Sequence, residues 1–330
     1  MIITKTPFRI SFFGGGTDYP EWYLKNSGQV LGTTINKYAY ISCRRLPSFN
    51  DHKYQIVYSE VERCNEIEDI KHPAAKACIE LSGIKEGLEI HYDSDMPARS
   101  GLGSSSTYTV GLLQCLYAYR GIYRTKRQLA NEAINIEHDI LKEHVGVQDQ
   151  IHASFGGFNH VKLDGSSEFS VNPVVINSSK KQQLNENLML FYTGISRFSS
   201  NIAKSQIDGI EKNSKQLNMM SSYVDEALDI LGNNKRNIND FGFLINESWV
   251  QKRQLSNDVS TSMIDDLHNT GIKAGALGGK ILGAGGGGFL LFYVEKKNQT
   301  QVKNALSKLL YVPFEFSDQG AEIIFHHDQS

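Results

Sequence analysis

Three glycine clusters punctuate this chain, at residues 14–16, 101–103 and 283–288, and they limit what it can fold into more than any other feature. Glycine reaches backbone conformations that other residues avoid and lets main chain press against a neighbour, at an entropic cost that a simple linker does not repay. Each cluster adjoins a segment that reads as strand or helix. The clusters are therefore tight junctions in a folded protein.

Between them the pattern alternates. Residues 2–6, 9–13, 38–43, 53–59 and 88–92 are extended or rich in β-branched and aromatic residues and read as strands. Residues 104–120 read as a helix through Val110, Leu113 and Tyr117, and residues 126–143 through Leu129, Ala133, Ile136 and Ile140. A strand at 157–163 follows. The polar stretch 172–187 marks a boundary between a domain over 1–178 and another over 187–330. The second opens on a strand (188–193) and continues as a largely helical stretch (199–268). It closes as a glycine loop, a strand (289–294), a helix (299–310) and two short strands (313–316 and 322–325).

A net charge of −2 leaves no broad basic field for nucleic acid or an anionic membrane, so an anionic ligand has to be held by local devices. The first eight residues lack the apolar core of a signal peptide, and the run at 289–294 is far too short to span a bilayer. Four scattered cysteines without a CxxC pair suggest reduced thiols and a cytoplasmic location.

The middle cluster lies in Pro97-Ala98-Arg99-Ser100-Gly101-Leu102-Gly103-Ser104-Ser105-Ser106, between a strand and a helix. A helix N-terminus exposes unpaired N–H groups and partial positive charge, which suits a polyphosphate, and a serine hydroxyl there can reach Mg²⁺. Taken alone, the segment suits a turn with a serine N-cap equally well. It lacks the Gly-Lys-Ser/Thr of a P-loop. The third cluster, Gly283-Ala284-Gly285-Gly286-Gly287-Gly288, contains a formal GxGxxG but leads into a strand instead of a helix, which excludes a dinucleotide fold. It reads as backbone pressed against a ligand or against the other loop.

Around the first cluster, Arg9 lies on a strand before Gly14-Gly15-Gly16-Thr17-Asp18. A carboxylate and a hydroxyl on a glycine turn suit sugar hydroxyls, although Asp18 also fits an ordinary turn. Glu137 falls on or beside the apolar face of its helix, where a carboxylate needs a partner such as Mg²⁺ or a lysine. Asp149, twelve residues on, is a candidate base or orienting group, although read alone it is an ordinary loop aspartate. Glu137, His138, Asp139 and His144 lack HExxH spacing, which argues against a transition-metal site.

Together these segments resemble the GHMP kinases, whose three motifs are a Pro-x-Arg/Lys loop, a Pro-x3-Gly-Leu-Gly-Ser-Ser loop and a Gly-Ala-Gly-Gly-Gly loop. All three occur in order, at 7–18, 97–106 and 280–289. Within that superfamily the Arg9-Ile10-Ser11-Phe12-Phe13-Gly14-Gly15-Gly16-Thr17-Asp18 segment and Tyr192-Thr193-Gly194-Ile195-Ser196-Arg197 are similar to D-glycero-D-manno-heptose 7-phosphate kinases. Galactokinases carry Glu-His in place of Gly15-Gly16, and fucokinase domains carry Gly-Gly-Trp there.

The resemblance implies an α+β fold: an N-terminal domain like the second domain of ribosomal protein S5 and a ferredoxin-like C-terminal domain. It implies ATP and Mg²⁺, with the metal on Ser105 and Glu137 and the phosphates cradled by the loop from Pro97 and Arg99 to Ser106. Asp149 would take or orient the anomeric hydroxyl proton, with Arg9 beside it. Gly15, Gly16, Thr17, Asp18, Arg197, Gly285 and Gly286 would line the sugar. A phosphorylated sugar needs further basic groups, for which Arg197, Lys252, Arg253 and Lys37 are candidates. The alternatives are a kinase of an unphosphorylated sugar and a sugar- and ATP-binding sensor without turnover. The expected assembly is a monomer or homodimer.

Overall fold

The computed structural model describes residues 1–166, 168–195 and 199–327. The extended segments expected at 2–6 and 9–13 form one strand, β1 (Ile2–Phe13). Among the described residues only one side of β1 carries a ladder beyond Lys5, which is where a strand tolerates a proline such as Pro7. A short helix α1 (Pro20–Asn26) leads to β2 (Gly28–Arg45), the longest strand. Then come β3 (Tyr54–Val57), β4 (Val61–Cys64), α2 (Pro73–Ser82), β5 (Leu88–Ser94), α3 (Ser104–Tyr119), α4 (Lys126–Asn135), α5 (Gln148–Phe155), β6 (Phe158–Leu163) and β7 (Phe169–Pro173).

The polar stretch expected as a boundary holds a helix, α6 (Ser178–Asn187), capped by Asn177. It buries only Leu184 and Asn187, so it carries almost no apolar periodicity. After β8 (Leu188–Tyr192) the helical stretch divides into α7 (Ser199–Asp208), α8 (Ser214–Gly232), α9 (Asn239–Arg253) and α10 (Ser262–Lys273). The chain ends as β9 (Gly278–Ile281), β10 (Phe289–Tyr293), α11 (Gln299–Ala305), β11 (Leu310–Val312), β12 (Phe316–Ser317) and β13 (Glu322–His326). Of the strand expected at 313–316 only Phe316 lies in one: β11 ends at Val312, before Pro313, which cannot donate to a ladder, and β12 begins at Phe316.

Among the described residues the first sheet has nine strands, running β13-β1-β2-β5-β3-β4, with β6 and β12 also on β2 and β7 on β6. The second runs β11-β8-β10-β9 and is antiparallel throughout. Its chain order and strand order are those of a ferredoxin-like split βαβ unit. The final strands leave it: β12 pairs with β2 and β13 with β1, so the C-terminal segment completes the N-terminal sheet.

One apolar core joins the two sheets. Phe8, Ile10, Phe12 and Phe13 of β1 pack with Leu188, Leu190, Phe241 and Leu291. The Phe241 ring meets Phe12 at 5.3 Å and Phe13 at 5.0 Å, both edge-on. The β1–β2 register shifts between Pro7 and Arg9. Such an irregularity re-aims the following side chain, here Arg9. Because Phe241 is fully buried at this seam, Phe241→Ala is expected to cost about 3–5 kcal/mol. Urea unfolding checks this as a lowered midpoint.

Candidate active site

A cleft of about 880 Å³ opens where β1, the serine loop and the third glycine cluster meet. Arg9, 4% exposed, lies at its base. Its Nε donates to Asp149 Oδ1 at 2.7 Å, one terminal nitrogen donates to Asp149 Oδ2 at 2.8 Å, and the other donates to the Gly101 carbonyl at 2.7 Å. The Arg9 N–H also donates to the Leu102 carbonyl at 3.2 Å. One arginine thus fixes the orientation of Asp149 and docks the serine loop. The Asp149 side chain stays 25% exposed to the cleft. A bidentate pair of this kind is strong and geometrically specific.

The serine loop turns through left-handed backbone at Arg99, Gly101 and Gly103 and enters α3, whose first turn has no side-chain cap. The main-chain N–H groups of that turn therefore remain available to an anion. A Cβ on Gly283 would lie 2.6 Å from the Gly101 Cα, and one on Gly101 would lie 2.5 Å from the Leu282 carbonyl oxygen. The two loops interlock at a distance only glycines permit.

Helix α4 is followed by a π-helical turn, Ile136–Ile140. Its wider winding changes which residues point inward. Ile140, expected on the apolar face, is 46% exposed, whereas Glu137 is fully buried. Ser106 Oγ donates to Glu137 Oε2 at 2.8 Å and Gln150 Nε2 donates to the same oxygen at 2.6 Å, while Oε1 is buried without a partner. Burial pushes the Glu137 carboxyl up to about 8. The serine brought to Glu137 is therefore Ser106, one position past the expected Ser105. Ser106 lies on the buried face of α3, while Ser105 faces the cleft and is exposed.

Asp18 is buried and accepts from the Gly16 N–H at 2.8 Å, the Gln148 Nε2 at 2.9 Å and the Gln148 N–H at 3.4 Å. Its carbonyl accepts from the Val147 N–H at 3.1 Å. Asp18 thereby braces the turn into Asp149, and burial raises its carboxyl. Lys252 and Lys280 close the opposite wall. Lys252 donates to the Gly283 carbonyl. Lys280 donates to the carbonyls of Ser11 at 3.2 Å and Phe12 at 2.7 Å. Burial lowers both ammonium groups, that of Lys252 to about 8.

Of the residues expected here, Arg9, Gly15, Gly16, Asp18, Arg99, Gly101, Gly103, Ser104, Ser105, Ser106 and Asp149 line the cleft. Several others do not. Thr17 is fully buried, its hydroxyl within hydrogen-bond distance of the carbonyls of Gly14 and Gln29, so it serves the turn instead of a sugar. Pro97 lies on the outer surface, Leu102 is in the core, and Ser100 is buried beneath Gly288. Gly285 and Gly286 lie against Val259, whose carbonyl accepts the Gly286 N–H at 2.9 Å, leaving Gly283 and Ala284 on the wall. Arg253 pairs with Asp265, and Lys37 is not on the wall. Arg197 lies outside the described residues. Among the described residues no three His, Cys, Asp or Glu side chains are grouped to hold a metal. Sequence reasoning passed over Lys280 and Gln150. A lone lysine in the apolar run Gly278–Ile281 was the available signal for the first; Gln150 had none.

This fold and cleft match a family. Residues 69–157 match the GHMP kinases N terminal domain, and residues 226–312 match the GHMP kinases C terminal. The chain belongs to the GHMP kinases, which are ATP-dependent, and within them it is a sugar kinase. It is 29% identical to the D-glycero-alpha-D-manno-heptose 7-phosphate kinase of Campylobacter jejuni subsp. jejuni, over 97% of this chain and 98% of that one. It is 23% identical to the galactokinase of Thermotoga maritima, over 99% of this chain and 97% of that one. In fold it is similar to a D-glycero-D-manno-heptose 1-phosphate kinase from Bacteroides thetaiotaomicron, with a TM-score of 0.75, 23% identity, and coverage of 99% of this chain and 100% of that one.

Glu137 makes a pH prediction. The folded metal-free protein keeps this proton up to about 8, whereas the unfolded chain releases it near 4.5. The native state therefore binds more protons across that interval, and stability falls as pH rises through it, by at most a few kcal/mol. Urea midpoints at pH 5 and pH 8 in EDTA are expected to differ less in Glu137→Gln than in the parent protein.

Proposed function

We propose that this kinase transfers the γ-phosphoryl group of ATP to the anomeric hydroxyl of D-glycero-D-manno-heptose 7-phosphate, giving the 1,7-bisphosphate for activated-heptose and surface-polysaccharide synthesis. The observation that carries the reading is the Arg9–Asp149 pair, held against the Gly101 carbonyl with one carboxylate edge open to the cleft. The acceptor is taken from the Campylobacter relative's name and from the shared glycine-turn pattern.

Phosphoryl transfer depends mainly on alignment and on charge placed where charge develops. The open first turn of α3 and the serine loop suit the phosphates. Asp149 faces the acceptor side, where it orients the attacking hydroxyl and receives its proton. An anomeric hydroxyl is more acidic than an ordinary alcohol, so an arginine-paired carboxylate is base enough. Lys252 and Lys280 add positive charge to the same side, where a phosphorylated sugar brings a second anion. Their lowered affinity for protons reflects burial, and an incoming phosphate offsets it. The opposite end, lined by Tyr58, His72, Tyr92 and Tyr108, offers ring faces to a nucleobase.

Glu137, with its unpartnered Oε1, and the Ser106 hydroxyl beside it fit a divalent cation. They would hold Mg²⁺, which supplies charge neutralisation between phosphate groups when bound. No helix among the described residues is long and apolar enough to cross a membrane. We place the reaction in the cytoplasm.

Incubation with Mg·ATP and a panel of sugars tests the proposal: ADP release is expected with heptose 7-phosphate well above that with heptose, fucose or galactose. Equal turnover with and without the terminal phosphate would favour an unphosphorylated sugar. Asp149→Asn is expected to retain ATP binding and to lose about 10²–10⁴-fold in turnover. The acceptor's kcat/KM is expected to decline above pH about 8 as Lys252 loses its proton. In Lys252→Arg that decline moves to higher pH, because a guanidinium stays protonated.

A further inference from the structure

Glu62 lies on β4, outside every motif of the sequence and outside the phosphate end of the cleft, and it is 8% exposed. Burying a carboxylate is costly unless its oxygens are satisfied. Three donors satisfy this one: the Tyr58 hydroxyl at 2.8 Å, the Lys71 N–H at 2.6 Å and the His72 N–H at 3.0 Å. All three belong to residues that line the far end of the cleft. The turn they fix leads straight into α2, where His72 Nδ1 accepts from the Ala75 N–H at 3.2 Å.

The rings held this way form a connected wall. His72 meets Tyr58 edge-on at 4.9 Å and lies 4.7 Å from Tyr108, which in turn meets Tyr92 edge-on at 5.1 Å. The Tyr108 hydroxyl is buried and has no hydrogen-bond partner. A hydroxyl left in that state costs free energy until something supplies a partner. A planar heterocycle stacked on these rings, with ring nitrogens and an exocyclic group at its edge, has the chemistry to do so.

We propose that Glu62 is a positioning residue for the nucleobase of ATP. It acts through Tyr58 and the turn at residues 71–72, and touches the nucleotide nowhere. The inference rests on the reading that the aromatic end of the cleft receives the base. Glu62 therefore governs how tightly the nucleoside is held and leaves the phosphates and the chemical step alone.

Calorimetric titration of the full-length protein with Mg·ATP and, separately, with inorganic tripolyphosphate and Mg²⁺ tests it. Glu62→Gln turns a donor-facing oxygen into an amide N–H₂. It is expected to weaken ATP binding about tenfold while tripolyphosphate binding stays within about twofold. Turnover at saturating ATP, with whichever sugar the protein accepts, is expected to stay within about twofold, and KM for ATP to rise in step with Kd. Tyr58→Phe removes one of the three bonds with little change of shape, and is expected to move the same contrast about threefold. It carries the test if Glu62→Gln does not fold.

Unchanged ATP affinity in both variants, or equal weakening toward ATP and tripolyphosphate, would overturn the proposal. Because the readout is binding, it stands even if heptose 7-phosphate is not the acceptor. Wild-type protein that binds no ATP would overturn this inference and the proposed function together.

Discussion

Arg9 is the hinge of the architecture. Its guanidinium spends one edge on Asp149 and its remaining nitrogen on the Gly101 carbonyl, so one buried cation aligns a carboxylate from α5 with a loop from the β5–α3 junction. A cation that deep is tolerated only because each face of it is used. Its neighbours follow the same rule. Asp18 accepts three hydrogen bonds from the turn it braces, and Lys280 donates to two carbonyls of β1. The cleft thus brings Arg9, Lys252 and Lys280 together against Asp149 and Asp18.

The interlock of the two glycine loops serves the same end by other means. With Gly101 and Gly283 in contact, the loop before α3 and the loop between β9 and β10 meet main chain to main chain, with no side chain between them. The phenylalanine seam of Phe12, Phe13 and Phe241 sets the same relation from behind. Backbone in front and aromatic packing behind hold the cleft walls at a defined separation, which is what in-line transfer between two bound molecules asks of a protein.

Much of this was legible in the sequence, because the features concerned are local. Glycine spacing, strand composition and the serine-rich helix start each depend on a few adjacent residues, and they singled out Arg9, Ser104 and Asp18, which line the cleft, whereas Asp149 took its role from the family resemblance. What escaped was set at longer range. The π-helical turn that buries Glu137 and exposes Ile140 breaks the 3.6-residue period on which helical reading relies. Thr17 and Asp18 look equivalent as neighbours, yet the turn points one into backbone and the other toward Gln148. Helix α6 buries too little apolar surface to announce itself. Glu62 and Lys280 gain meaning only from partners that the fold brings to them.

The pairing of β13 with β1 has a consequence for how the molecule is made. The strand that carries Arg9 leaves the ribosome well before its outer neighbour over Ile2–Lys5, which is supplied only once Glu322 and the residues after it have been synthesised. Domains usually settle as they emerge. Here the first sheet keeps an open edge until β13 has been made, so a chain cut short before it would present that edge to chaperones and proteases instead of maturing into a half-finished catalyst.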